Sequence, residues 1–299
     1  MKDDLKDVVI IGSGISGLMA SVYIGRAGFN PVVFTGDYLG GLTATASMIE
    51  NFPGFPDGIN GFDLMSRMLT QAENSGADIL DETVSYIDMD KQGYTIHYSG
   101  KVMRSRSVVF ATGSVPRRLD LPEAEKYEGK GIHYCAACDG NFYKGKDVVV
   151  VGGGESAMQT ALYLSGICKS VTVLVRSNVR ACKAIMNRIN AVSNIKVIIG
   201  CTLSRIEGSE YVERAVCNDG TVLNTSAIFV AMGYITAMPE ISLAVPLKRD
   251  FNGILYVDMG KGCFACGDCV NGVKKQAVIA AGNGAATGLQ VITYLQHSC

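Results

Sequence analysis

The sequence predicts an α/β protein with two dinucleotide-binding, Rossmann-like folds, and three observations carry the prediction. A short apolar run, Val8-Val9-Ile10-Ile11, feeds into Gly12-Ser13-Gly14-Ile15-Ser16-Gly17 and then a helical stretch. The theme returns 140 residues later, as Val148-Val149-Val150-Val151 followed by Gly152-Gly153-Gly154-Glu155-Ser156-Ala157. Between the two stands His133-Tyr134-Cys135-Ala136-Ala137-Cys138-Asp139-Gly140, two cysteines two residues apart with a carboxylate directly after. In each glycine loop the first position permits the tight turn, the second lets a pyrophosphate approach the backbone, and the third lets helix and strand pack closely. These positions are Gly12, Gly14 and Gly17, then Gly152, Gly154 and Ala157, where alanine is an accepted variant.

Composition sets the bounds. A chain of 299 residues, 48% hydrophobic, is long enough for two cores of ordinary size and too apolar for extended disorder. The 35 glycines cluster without a period, as tight turns and phosphate loops require. A net charge of -1 without a basic run argues against nucleic acid. No apolar stretch approaches the roughly 18 residues of a membrane span, and the first strand starts near Asp7, which leaves no room for a signal peptide. The ten cysteines are mostly scattered through strand and helix patterns, so the expectation is a reducing cytoplasm with one active pair.

Taken in order, Leu18 to Ala27 reads as a helix and Pro31 to Phe34 as the second strand, closed by Thr35-Gly36-Asp37 with no acidic residue at its end. Gly40-Gly41-Leu42-Thr43-Ala44-Thr45 and Glu50-Asn51-Phe52-Pro53-Gly54 read as a shaped loop. Gly61 to Gly76 is amphipathic, Asp78 to Met103 alternates as an antiparallel meander, and Ser107 to Phe110 is a buried strand ending in Ala111-Thr112-Gly113. Pro116 to Gly131 reads as a linker. After the CxxC stretch come a helix to about Ser165 and a strand from Val171 to Val175, with Arg176 and Arg180 placed to hold a ribose phosphate. Lys196 to Asn224 reads as a further meander, Ala227 to Met232 as a buried strand, and Gly233 to Pro239 as a second linker. Ile254 to Val257 and Gly262 to Asp268 precede a final helix, about Lys275 to Gln296, whose first half is rich enough in glycine and alanine to pack on a cofactor or another backbone.

A CxxC pair cycles between dithiol and disulfide, and amide dipoles lower a thiol pKa if the pair opens a helix. Half a zinc site is the structural alternative, but no second matched pair accompanies it, so no metal is expected. Two nucleotide folds are one more than a simple dehydrogenase needs and the right number for a flavin plus a second donor.

With these motifs in view, the chain resembles low-molecular-weight thioredoxin reductase over almost its whole length. The resemblance rests on Gly12 to Gly17, Glu50 to Gly54, Ala111-Thr112-Gly113, the Cys135/Cys138 stretch, Gly152 to Ala157, and Gly262 to Asp268 with Lys275-Gln276-Ala277. It implies three-layer ββα domains, the second inserted in the first: a discontinuous FAD-binding domain, 1–115 and 244–299, around a pyridine-nucleotide-type domain, 116–243, that carries the disulfide. It implies non-covalent FAD, a homodimer, and rotation of the inserted domain about hinges near 116 and 236. Gly40, Gly41, Asn51, Gly267, Asp268, Gln276 and Ala277 match positions on the flavin side. Catalysis is implied at Cys138, which takes the electrons, at Cys135, which leaves as a thiolate and attacks the disulfide of thioredoxin or a thioredoxin-like partner, and at Asp139, which handles the proton.

The resemblance has departures. The family's arginine signature after the second strand is thinned here to Val175-Arg176-Ser177-Asn178-Val179-Arg180. NADPH is therefore the default donor, reduced ferredoxin the alternative, and NADH a lesser one. Leu42 stands where the family has glutamine. Cys263, Cys266 and Cys269 have the spacing of an iron–sulfur run without its fourth cysteine, and Asp268 within the run is wanted by the flavin. Cys299 is expected to be inert. A small-molecule dithiol oxidase and a non-catalytic redox sensor are the competing functions.

Overall fold

In a computed structural model that describes residues 5–46, 48–250, 252–272 and 274–297, the chain divides into two units, Met1–Val115 with Ile235–Cys299 and Pro116–Tyr234. Cys299 lies outside the described residues. The first unit opens with β1 (Lys6–Ile11), α1 (Ile15–Arg26), β2 (Pro31–Phe34), α2 (Gly41–Ala44), α3 (Gly61–Asn74), β3 (Asp78–Leu80), β4 (Val84–Asp90), β5 (Gly93–Tyr98), β6 (Lys101–Phe110) and β7 (Ser114–Pro116). The second contains α4 (Ala124–Tyr127), β8 (Ile132–His133), α5 (Ala136–Asp139), β9 (Asp147–Val151), α6 (Glu155–Ser165), β10 (Ser170–Val175), α7 (Lys183–Asn190), β11 (Ile195–Ile199), β12 (Leu203–Glu207), β13 (Arg214–Cys217), β14 (Val222–Asn224) and β15 (Ala227–Val230). The chain returns through β16 (Tyr234–Thr236), β17 (Glu240–Ile241), β18 (Leu247–Asp250), β19 (Gly253–Val257), β20 (Cys263–Ala265) and α8 (Ala277–His297).

The first unit has three layers, and the two-residue period of its central strands explains why. Strand β1 pairs in parallel with β2 and β6, β2 with β3, and β6 with β20. Val8 and Ile10 face a core shared with α1, α3 and α8, whereas Val9 and Ile11 face the β4–β5 hairpin and the β19 region. Both faces are covered, so the run is apolar throughout rather than alternating. Helix α3 is held by Asn60, whose side chain accepts from the Phe62 N–H at 2.9 Å, and it buries Leu64, Met65, Met68 and Ala72 at helical spacing. The small residues of α8 face α1: a Cβ on Gly284 would lie 2.2 Å from the Ser16 carbonyl oxygen, and one on Gly288 2.9 Å from Tyr23 Cβ. The glycine-rich half of the last helix is thus read by another backbone.

The second unit repeats the plan. Its parallel sheet runs β11-β10-β9-β15-β8. Val148 and Val150 face α6 and α7, and Val149 and Val151 face the β12-β13-β14 meander. A second disulfide, Cys201–Cys217, staples this meander to the segment after β11, with Cα atoms 6.1 Å apart and both residues buried. The β12–β13 register sets Leu203 opposite Cys217, which brings Cys201 within reach, so a buried disulfide accompanies the expected active pair.

Four expectations are corrected. The return to the first unit falls between Tyr234 and Ile235, not at 244, because Glu240–Ile241 adds as an edge strand to β4 and the Ser242 N–H donates to the Ile87 carbonyl. Asp78–Leu80 is a parallel edge strand on β2, not the start of the meander. Residues 101–110 form one strand, its first half paired antiparallel to β5 and its second half buried beside β1. The stretch read as a linker, 116–131, packs Ala124, Tyr127, Leu119 and Leu121 into the second unit's core.

Candidate active site

In the first unit, β1 ends in Gly12 at φ +110°, where a Cβ would stand 2.4 Å from the Ala111 carbonyl oxygen. Only glycine fits that approach. At Gly17 a Cβ would meet the Gly12 oxygen at 2.0 Å, so this position too is closed to side chains. Gly14 is different: it caps α1 without a side-chain cap, and a Cβ there would meet nothing within 4 Å. Gly14 thus leaves the mouth of the loop open, and the first turn of α1 carries no acidic residue. This is the cradle a pyrophosphate fits, with partial positive charge and unpaired donors.

The rest of the cradle's wall is built from distant segments. A Cβ on Gly41 would lie 3.4 Å from Gly14 Cα, and the Gly40 N–H donates to buried Ser13 Oγ at 3.1 Å, which ties the Gly40-Gly41 turn to the first loop. Ala111 N donates to the Ile11 carbonyl, and Thr112 Oγ1 donates to Met238 Sδ at 3.3 Å. Asn51 Nδ2 donates to Gln276 Oε1 at 3.0 Å and so joins two motifs 225 residues apart. At Gly267, φ +77°, a Cβ would stand 2.3 Å from Ser16 Oγ. Next to it burial raises the pKa of the half-buried Asp268 carboxyl, opposed by the Lys275 ammonium. A carboxyl so placed suits a hydroxyl-bearing ligand. No carboxylate ends β2, but Thr35 Oγ1 donates to Asp81 Oδ1 at 3.0 Å, so acidity arrives from the residue after β3. Ser13, Met238 and Asp81 were missed in sequence, since nothing local marks a residue whose partner is distant.

Cys263, Cys266 and Cys269 are free thiols, fully buried beside this region. Burial pushes the Cys263 thiol up to about 12 and raises Cys266 and Cys269 as well. Cys269 donates to the Phe110 carbonyl at 3.3 Å and to that of Cys266 at 3.2 Å. They behave as small apolar core residues.

In the second unit, β9 ends in Gly152, φ +153°, where a Cβ would approach the Ala231 oxygen to 2.2 Å. Gly154 caps α6 with open space before it, and Ala157 is fully buried. Arg176 and Arg180 are exposed, and among the described residues neither meets a carboxylate. The Arg180 N–H donates to the Gly153 carbonyl at 2.7 Å, so the loop after β10 folds back onto the glycine loop.

Cys135 and Cys138 form a disulfide with Cα atoms 5.4 Å apart. Cys138 is exposed and Cys135 half-buried. The helix they open, α5, is a single turn, so its dipole is small; the Cys138 N–H donates to Cys135 Sγ at 3.1 Å, a bond that would favour a thiolate there once the disulfide opens. Asp139 Oδ2 lies 3.1 Å from buried His133 Nδ1, and His133 Nε2 lies 2.7 Å from Tyr143 Oη. The arrangement offers a reversible disulfide, a carboxyl on the residue directly after it, and a glycine loop in each unit.

The profile of the pyridine nucleotide-disulphide oxidoreductase family matches residues 6–284. The chain belongs to that family. It is 37% identical to the thioredoxin reductase of Streptomyces clavuligerus, over 98% of this chain and 94% of that one. It is 36% identical to the NADPH-dependent thioredoxin reductase 3 of Arabidopsis thaliana, over 97% of this chain and 58% of that one. Its fold matches the crystal structure of Lactococcus lactis thioredoxin reductase with a TM-score of 0.90, at 28% identity, over 97% of this chain and 99% of that one. Family membership makes the chain a flavoprotein oxidoreductase with a redox disulfide and implies FAD and NADPH as cofactors. Among the described residues no helix is long and apolar enough to cross a membrane.

Proposed function

We propose that the chain reduces the disulfide of thioredoxin or a thioredoxin-like protein, with electrons from NADPH passing through FAD to Cys135–Cys138. The observation that carries this reading is a closed, accessible Cys135–Cys138 disulfide with Asp139 beside it, in a chain whose Gly14 and Gly154 cradles are both open. The first unit is the FAD domain: Gly12, Gly14 and Gly17 receive the pyrophosphate, Gly40-Gly41 and Ala111-Thr112-Gly113 wall it, and Asn51, Asp268 and Lys275-Gln276-Ala277 hold the flavin side. FAD supplies two electrons at a time to the disulfide. Cys138 accepts them, and Cys135, with an amide N–H at its sulfur, becomes the thiolate. Asp139 carries the proton of that step. Cys135 then attacks the partner's disulfide, and Cys138 resolves the mixed disulfide. The half-exposed Ala136-Ala137 between them leaves room for a protein loop.

The second unit is the pyridine-nucleotide domain, with Gly152, Gly154 and Ala157 at the pyrophosphate and Arg176 and Arg180 on a ribose phosphate. The two chain crossings between the units, 115/116 and 234/235, serve as hinges. A homodimer in a reducing cytoplasm completes the reading; among the described residues five cysteines are free thiols.

Reduced ferredoxin is the alternative donor, because the loop after β10 keeps only Arg176 and Arg180 for a ribose phosphate. Anaerobic rapid mixing of the purified flavoprotein with NADPH, and separately with reduced ferredoxin, tests both. Flavin bleaching by NADPH followed by thioredoxin reduction is the expected result. Bleaching by ferredoxin alone moves the donor, rapid oxygen use with a small dithiol moves the function, and bleaching by neither donor leaves a sensor.

A further inference from the structure

His133 is the least exposed polar residue of the CxxC stretch, and its surroundings assign it a task. It ends β8, beside β15, with its ring against Phe229 at 5.5 Å between centroids and Tyr143 at 5.2 Å. Nδ1 faces Asp139 Oδ2 at 3.1 Å and Nε2 faces Tyr143 Oη at 2.7 Å. A carboxylate accepts only, so in the neutral ring Nδ1 carries the hydrogen and donates to Asp139, and Nε2 accepts from the tyrosine hydroxyl. Burial raises the Tyr143 pKa, which keeps that hydroxyl protonated. When the ring is protonated both nitrogens donate, and the tyrosine hydroxyl turns to accept. Both charge states of the ring are therefore fully hydrogen-bonded.

We propose that His133 is the positioning residue of Asp139: its Nδ1–H fixes the carboxyl beside the disulfide, and the two side chains together store the one proton that opening the disulfide consumes. This rests on the reading of Asp139 as the proton carrier. Opening the sulfur–sulfur bond takes two electrons from the reduced flavin and one proton, and yields one thiolate and one thiol. The pair supplies that proton and is left as neutral His133 hydrogen-bonded to ionised Asp139. It reloads from solvent, and when Cys135–Cys138 recloses on a partner disulfide the thiol proton returns to the pair or leaves on the reduced partner. Burial disfavours the charged form of His133 and Asp139 favours it, while burial, Asp139 and Tyr211 raise the Tyr143 pKa.

The test is the pH profile of thiol alkylation in the FAD-loaded protein. Wild type, His133→Asn and Asp139→Asn are reduced anaerobically with dithiothreitol, freed of it, pulsed with iodoacetamide across the pH range and mapped by peptide mass spectrometry at Cys135 and Cys138. Exposed Cys182 serves as the internal reference. Wild type should show two inflections, one from the pair and one from the thiol. His133→Asn keeps a donor toward Asp139 but cannot store the proton. It should lose the first inflection and react severalfold more slowly on the acid side, the size set by about one unit of thiol pKa, and rejoin wild type in alkali. Asp139→Asn should also show a single inflection, at lower pH. A His133→Asn profile superimposable on wild type, with Asp139→Asn displaced, overturns the inference and leaves the Asp139 reading standing. Wild-type profiles from both variants sink the Asp139 reading itself. Should His133→Asn fail to fold, the imidazole carbon shift of His133 in the wild-type protein decides: its titration should move between the oxidised and reduced forms, and an unmoved titration overturns the inference.

Discussion

The amide N–H of Cys138 donates to the sulfur of Cys135 at 3.1 Å, so one residue of the pair supplies the hydrogen bond that favours negative charge on the other. That asymmetry supports the proposed role of Cys135 as the thiolate and nucleophile. Cys138→Ser should retain its flavin, lose turnover with thioredoxin, and accumulate a mixed disulfide through Cys135 that non-reducing electrophoresis resolves. A mixed disulfide formed instead by Cys135→Ser would reverse the assignment.

Partner docking should involve Phe142, which is 75% exposed on the turn after Asp139. An aromatic ring left in water four residues after Cys138 is a candidate anchor for a protein loop. Phe142→Ala should raise KM for thioredoxin by about tenfold, the equivalent of roughly 1.4 kcal/mol. Reduction of the flavin by NADPH in the same variant should be unchanged in rapid mixing.

Close packing of α1 on α8 predicts a stability defect. A Cβ on Gly284 would stand 2.2 Å from the Ser16 carbonyl, a backbone atom that cannot swing aside. Gly284→Ala should cost about 1–3 kcal/mol by thermal or denaturant unfolding and weaken flavin retention, because Ser16 belongs to the first glycine loop. An unchanged melting curve would mean that the helices part freely.

The Cys201–Cys217 bridge closes a loop of sequence separation 16, for which a chain-entropy account gives about 3 kcal/mol. The double variant Cys201→Ser/Cys217→Ser should lower the melting midpoint and leave NADPH-dependent flavin reduction intact. Peptide mapping of the alkylated native protein should find both sulfurs blocked.

Acid stability has a sign that follows from His133. Burial lowers its pKa below the ordinary 6.5, and Asp139 only partly opposes this. The unfolded chain therefore binds the proton more readily than the folded one, so the contribution is complete above about pH 6.5 and is lost as the pH falls toward the folded value. His133→Asn should flatten this part of the pH–melting curve.

Legibility followed the range of the interaction. Each glycine loop was readable because the strand, the turn and the helix start within a dozen residues, and Gly12, Gly17 and Gly152 sit where a Cβ would strike backbone. The CxxC pair was readable from spacing alone. What could not be read is pairing between distant segments: Gly40 on Ser13, Thr112 on Met238, Cys201 with Cys217, and β17 on β4. The role of His133 was hidden for the opposite reason. It stands in plain view in the motif, but its meaning depends on Tyr143, which reaches back over a short helical turn that sequence did not resolve.

The central claim is that electrons pass from the flavin into Cys135–Cys138 and nowhere else in the chain. One equivalent of NADPH added anaerobically, followed by acid quench and differential alkylation, measures it. The account predicts that Cys135 and Cys138 become alkylated together while Cys201 and Cys217 stay blocked. A flavin that bleaches while Cys135 and Cys138 remain closed would contradict it.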